Sequence, residues 1–375
     1  MYEQIQKSLV LSAKAETIEY PVLRFDTKVK RLVKVLLRMD KPAGEKDPIH
    51  WPNALDAQGL LDTLDVFRHI EDGGIYAASD AEAESVDFPL DDIEETLNTF
   101  LSSFEKSGYH IRGIENTVAG SVFLGMMKYE KFKVRAKIAA QAIFDYLVKA
   151  PTDERGAYIY NPNRPNKRVF VDMIGMAVPF LSMYGKLMNE PKAFEMAETQ
   201  LACYIGYGMD EESGFPYHVY EFEPFSQIGE PGWGRAVGWL MMGEAAYLKY
   251  APKDCKFYEE CVRFFRAITD VTIKHMYDDG MLGWHLNEAA AREDTSATAM
   301  CVNAMLSGIL DSKTIDKKYL ETINKSTAAI LTYFKDGKIY GASAECIDVG
   351  VYQNVFGAYP WSLGPTLSVL SKVMK

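Results

Sequence analysis

The stretch EPGWGRAVGW (230–239) gathers Trp233, Arg235 and Trp239 where a helix is about to begin. A helix start presents unpaired backbone N–H groups at the positive end of its dipole, so an arginine added there suits an anion such as a carboxylate. Indole rings supply flat apolar area for a sugar ring and one N–H donor each. Arg235 and Trp239 lie four residues apart, as do Gly234 and Gly238. Charge and ring can then share one helical face, while the glycines let a neighbouring helix approach closely. The combination fits an acidic sugar; the alternative puts both tryptophans in the core and pairs Arg235 with Glu230 or Glu244.

Other stretches add groups able to move protons. RVFVD (168–172) ends on Asp172 just ahead of an apolar helical run. A carboxyl in that place is either a helix cap or a general acid. FPYHVYE (215–221) offers His218 with Tyr217 and Tyr220 beside it, and RGIENTVAG (112–120) offers Glu115 and Asn116. Trp51, Trp284, His285 and Trp361 also stand at helix starts, as further sugar contacts or as rim packing. Asp278-Asp279-Gly280 and Glu71-Asp72-Gly73-Gly74 read as turns, without the full oxygen set of a calcium loop. No phosphate loop, dinucleotide glycine pattern or nucleophilic serine elbow occurs.

The elements that position these groups are helical throughout. Helical spacing of apolar residues recurs over 27–39, 53–70, 91–106, 131–150 and 256–276, whereas strand-like alternation is confined to short pieces such as GAYIYN and GKIYGA. Helices with a charged face alternate with helices such as 232–248 and 294–310 that are apolar or small on nearly every side. Repetition of this alternation every ~55 residues predicts helical hairpins arranged as an inner and an outer ring, an all-α toroid, with an irregular bundle as the alternative. The polar and aromatic peculiarities fall where inner helices begin, so function is expected at that mouth.

Composition narrows the classes. The chain has 375 residues, 48% of them hydrophobic, and no linker rich in Pro, Gly or Ser, which favours one domain. A formal charge of -11 without basic runs argues against nucleic acid and anionic membrane as partners. Five scattered cysteines without a CxxC pair predict reduced thiols rather than disulfides or a zinc site, and with no recognisable signal or membrane span the expected location is the cytoplasm.

The 230–239 stretch resembles the WARGNGW signature of the unsaturated rhamnogalacturonyl hydrolases, glycoside hydrolase family 105, and more distantly the unsaturated glucuronyl hydrolases of family 88. RVFVDMIGMAVPFLSMYGK (168–186), FPYHVYE (215–221) and EDTSATAMCVNAML (293–306) resemble further segments of that family in matching order. WPNALDAQGLLDTL (51–64) and YPWSLGPTLSVL (359–370) fit its first and last inner helices more loosely. The resemblance implies an (α/α)6 barrel over 26–375, with 1–25 left as an N-terminal extension. It implies hydrolysis of lyase-generated oligosaccharides whose terminal uronic acid, a galacturonyl group by expectation, carries a C4=C5 double bond; no metal or organic cofactor is implied. Hydrating an enol ether needs one well-placed acid that also helps water, not the paired carboxylates of an ordinary glycosidase. The resemblance makes Asp172 that acid, His218 with Tyr217 a sugar contact, and Trp233, Arg235 and Trp239 the walls and carboxylate contact of the pocket; Trp51, at its helix start, is expected to add a further sugar contact. Two departures stand out: Ala236 and Val237 replace the usual Gly-Asn, and Glu115 or Asn116 stands where the family carries a second aspartate.

Overall fold

The computed structural model describes residues 2–18, 47–71 and 88–373; the helix expected over 27–39 and the turn at 72–74 lie outside the described residues. Among the described residues there are twelve α-helices. In chain order the first six are α1 (Tyr2–Ile18), α2 (Trp51–Glu71), α3 (Leu90–Lys106), α4 (Val118–Met126), α5 (Glu130–Leu147) and α6 (Asp172–Met188). They are followed by α7 (Pro191–Tyr207), α8 (Gly234–Tyr250), α9 (Tyr258–Lys274), α10 (Thr295–Leu310), α11 (Leu320–Thr332) and α12 (Pro360–Val373). Each even-numbered helix packs on the next and α12 closes on α2, so these six form a ring; the odd-numbered helices pack around it. This is the (α/α)6 toroid.

Residue pattern explains the two layers. In α3, Ile93, Leu97, Phe100, Leu101 and Phe104 are buried at helical spacing while Asp91 is exposed, the one-sided stripe of an outer helix. In α8 nearly every residue from Gly234 to Leu248 is buried, because neighbours surround it.

The first helix packs on the ring. Residues 2–18 are the outer helix lying over α2 and α12, with Leu9, Val10 and Ala13 fully buried. Gln6 donates to Thr63 Oγ1 at 3.3 Å and Ser371 Oγ at 3.2 Å. Its inward stripe includes the polar Gln6 and Thr17, so apolar periodicity alone does not mark it as core.

Small residues set the spacing of the inner ring. A Cβ built on Gly234 would stand 2.6 Å from Ala297 Cβ and one on Gly238 2.7 Å from Met300 Cβ, so the two glycines admit α10 as their spacing predicts. Between α2 and α12 the approach is backbone on backbone: a Cβ on Gly364 would meet Leu55 O at 2.3 Å, and one on Gly59 would meet Gly364 O at 2.5 Å. Gly364→Ala is therefore expected to cost about 1–3 kcal/mol by forcing the helices apart. Gly206→Ala in α7, exposed and with nothing within 4 Å of its built Cβ, is expected to gain ~0.5 kcal/mol. Thermal melts of both variants check this pair, and equal midpoints would refute the packing argument.

Strand structure is brief. β1 (Val169–Phe170), β2 (Val219–Phe222) and β3 (Phe225–Ile228) form an antiparallel sheet with β2 in the middle. β4 (Phe334–Lys335) pairs with β5 (Lys338–Ile339), and β6 (Ala342–Ser343) with β7 (Phe356–Gly357).

Candidate active site

The N-terminal ends of α2, α6 and α8 meet at a cavity of about 220 Å³. Trp51 is the first residue of α2, Asp172 the first of α6 and Arg235 the second of α8, and all three line it together with His218, Trp233 and Trp239. Positive helix ends directed at one cavity favour an anion there, despite the negative charge of the whole chain. Met176 lines both this cavity and a second one, of about 260 Å³, toward the other end of the ring, and so stands between them.

Backbone pairing brings Asp172 and His218 together. Phe170 pairs with Val219 across β1 and β2, and Val171 N–H donates to His218 O at 3.1 Å, so the residues flanking that pairing, His218 and Asp172, are held side by side. His218 Nε2 stands 3.5 Å from Asp172 Oδ2. At Nδ1 the ring accepts from Gly350 N–H at 3.4 Å. A backbone amide only donates, which assigns the ring hydrogen of neutral His218 to Nε2, facing the carboxylate. His218 is buried and held by rings, with Trp233 at 4.6 Å, Phe170 edge-on at 5.5 Å and Tyr352 stacked at 5.9 Å.

Asp172 is not a helix cap: Val171 holds the cap position, and no side chain caps the helix. Its Oδ2 is buried with no hydrogen-bond partner, although the side chain stays 17% exposed. A buried acceptor left unmade costs ~1–3 kcal/mol, and such a cost is tolerated where a ligand supplies the missing contact.

Trp233 and Trp239 form walls as their placement suggests, and Trp51 packs edge-on to Trp239 at 5.8 Å and against Trp361 at 5.2 Å. Trp361 itself is core, and neither it nor Trp284 nor His285 lines the cavity.

Arg235 differs from expectation in its partners. It pairs with neither Glu230 nor Glu244. Nη1 donates to Ser343 O at 2.8 Å and to Ser343 Oγ, and Nη2 donates to Ala344 O at 2.8 Å. Asp294 Oδ2 lies 3.8 Å away and Trp233 4.8 Å beneath the guanidinium. The motif arginine thus ties β6 to the mouth of the ring. Glu244 is fully buried with both oxygens unpaired, and burial drives its carboxyl well above the usual range.

Tyr217 does not reach the cavity. The chain bends at His218 just ahead of β2, and Tyr217 turns away and donates to Asp210 Oδ1 at 3.2 Å. Glu115 sits in the 3-10 turn Ile114–Thr117 ahead of α4, its carboxylate folded against Gly113, and does not line the cavity. Tyr160 does line it, and its phenol is pushed far up by burial and then by Glu115, Asp172 and Glu345, so it remains a donor. Asn116 is structural, donating to Asp47 Oδ2 at 2.9 Å and Ile49 O at 3.2 Å.

Two loops complete the cavity without having been singled out in sequence. One runs from Tyr160 to Arg168 and contributes Asn161, Arg164, Asn166 and Arg168; the other contributes Glu345, Cys346, Asp348 and Val349. The run NPNRPNKR (161–168) is the available signal for the first. Burial pushes the Cys346 thiol up to about 12, so it stays protonated near neutral pH and is no nucleophile.

Comparison with known proteins bears on the fold and the family. A search of curated proteins finds no match. Among solved structures, a possible member of the GH105 family from Klebsiella pneumoniae superposes with TM-score 0.79 at 14% identity, over 100% of this chain and 92% of that one. A family 105 glycoside hydrolase from C. acetobutylicum gives 0.71 at 18% identity, over 91% and 97%. An unsaturated glucuronyl hydrolase from Bacillus sp. GL1 gives 0.72 at 14% identity, over 100% and 97%. At these identities the likeness speaks for the fold. A family model for Glycosyl Hydrolase Family 88 matches residues 37–373, which takes in all six inner helices and both cavity loops. The chain belongs to glycosyl hydrolase family 88.

Proposed function

We propose that this protein is an unsaturated uronyl hydrolase, releasing a terminal 4,5-unsaturated uronic acid from lyase-generated oligosaccharides. The observation that carries this reading is the uncompensated Asp172 Oδ2, buried at the end of an aromatic-walled cavity beside the Nε2 of His218. An acid so placed serves a reaction that begins by protonating carbon. The proton of Asp172 passes to C4 as the C4=C5 π electrons form the new C–H bond, and the cation left at C5 is shared with the ring oxygen. Water adds at C5 and returns a proton to Asp172, while His218 N–H steadies the carboxylate between the two transfers. The hemiketal opens by breaking the bond from C5 to the ring oxygen, leaving a ketone at C5 and a hemiacetal at C1 that expels the neighbouring sugar.

Galacturonyl is the proposed uronyl group, on the strength of the family 105 resemblance of the 168–186 and 230–239 segments. The cytoplasm is the proposed location, in keeping with five free cysteines. The test is a panel of lyase-produced unsaturated disaccharides, galacturonyl and glucuronyl, followed by loss of the ultraviolet absorbance of the conjugated alkene. Decay is expected, fastest with a galacturonyl end. Equal decay with both ends refutes the preference, and no decay with any refutes the function.

A further inference from the structure

Three arginines line the cavity: Arg164, Arg168 and Arg235. Two of them are committed. Arg235 is buried and donates to the Ser343 and Ala344 carbonyls, and Arg168 Nε donates to Glu221 Oε2 at 2.9 Å. Arg164 is exposed and has no carboxylate partner among the described residues.

The loop carrying Arg164 is built to hold it. Tyr160 N–H donates to Arg168 O at 3.1 Å and closes the base, while Arg164 N–H donates to Asn161 O at 3.1 Å and forms a turn inside it. Pro162 and Pro165 flank the turn and restrict its backbone. A guanidinium presented from a restricted loop loses less freedom on binding. The second cavity loop contributes Glu345 and Asp348 to the same lining, so one loop brings cationic groups to the cavity and the other anionic ones.

We infer that Arg164 is the specificity-determining residue for the uronate carboxylate, a role that rests on the proposed function. The guanidinium takes the carboxylate on C5 with paired N–H donors, and the carboxylates of the second loop repel it. That fixes which way the ring enters and which alkene carbon meets Asp172. The motif arginine, which sequence spacing favours for this contact, acts instead on the protein's own backbone.

The test compares an unsaturated galacturonyl disaccharide with its methyl ester, which keeps the alkene and removes the charge. The wild-type protein is expected to prefer the free acid by about 30-fold in kcat/KM, in the range of one charge-assisted contact. Arg164→Gln is expected to lose that preference through KM, treating acid and ester within about threefold, and Arg164→Lys to restore part of it. A loop that merely needed an arginine for its shape would slow both substrates alike. If Arg164→Gln keeps the acid-over-ester ratio of the wild type, the assignment to Arg164 is wrong while the function stands. If the wild type turns over neither substrate, the assignment falls together with the function.

Discussion

Asp172→Asn is expected to lower kcat on an unsaturated disaccharide by about 10³- to 10⁴-fold, the upper range for removing a general acid–base group, while binding changes less than threefold. The asymmetry follows from the surroundings of the carboxyl. Oδ2 makes no hydrogen bond within the protein, so the amide alters only the 3.5 Å approach of His218 Nε2, and its size leaves the aromatic walls in place. The walls that hold the sugar belong to Trp51 on α2, Trp233 just ahead of α8 and Trp239 on α8. Quenching of tryptophan fluorescence by the substrate reads binding, and the alkene absorbance reads turnover. The variant should therefore bind and not react. If Asp172→Asn keeps more than about a tenth of the wild-type rate, proton delivery belongs elsewhere, with the Tyr160 phenol next to be tested. If instead it loses binding, Asp172 is a sugar contact and the hydration scheme loses its acid.

What could be read from sequence divides along a physical line. Inner and outer helices were legible because burial on one side or on all sides leaves a different spacing of apolar residues, and that spacing survives in α3 and α8. Groups at helix starts were legible because dipole, aromatic area and charge coincide there, as at Trp51, Asp172 and Arg235. Contacts made by loops far apart in sequence were not. Nothing in 343–350 announces that the Ser343 and Ala344 carbonyls will occupy Arg235 or that Gly350 will reach His218. Nothing in NPNRPNKR has a period that would fix where Arg164 lies. Tyr217 misled for the opposite reason: adjacency to His218 suggested a shared role, while the bend at His218 leaves the Tyr217 hydroxyl on Asp210. The departure at Glu115 was visible, but its consequence required the fold, since only the packed turn shows the carboxylate folded against Gly113 and not in the cavity.

The second large effect is expected at Arg235, by a different route. Its guanidinium clamps Ser343 and Ala344, Trp361 Nε1 donates to the same Ser343 carbonyl at 3.0 Å, and Ser343 Oγ donates to Asp294 Oδ2 at 2.5 Å. From that anchored strand the chain runs to Gly350, whose N–H holds Nδ1 of His218, and to Tyr352, whose ring stacks on it. Arg235→Ala leaves the buried carboxylate of Asp294 without its cation, and breaking such a pair costs about 3–5 kcal/mol. A pronounced drop in melting temperature is expected. Arg235→Lys keeps the charge but not the fork that reaches two carbonyls at once. It should fold, lose about 30-fold or more in kcat, and change KM for the free acid little. The two arginines are thereby separated by which constant each one moves: Arg164 the affinity for a charged carboxylate, Arg235 the rate for acid and ester alike. Should Arg235→Lys instead raise KM for the acid alone at an unchanged kcat, Arg235 meets the substrate carboxylate itself, and both the anchoring role argued for it and the assignment to Arg164 are overturned.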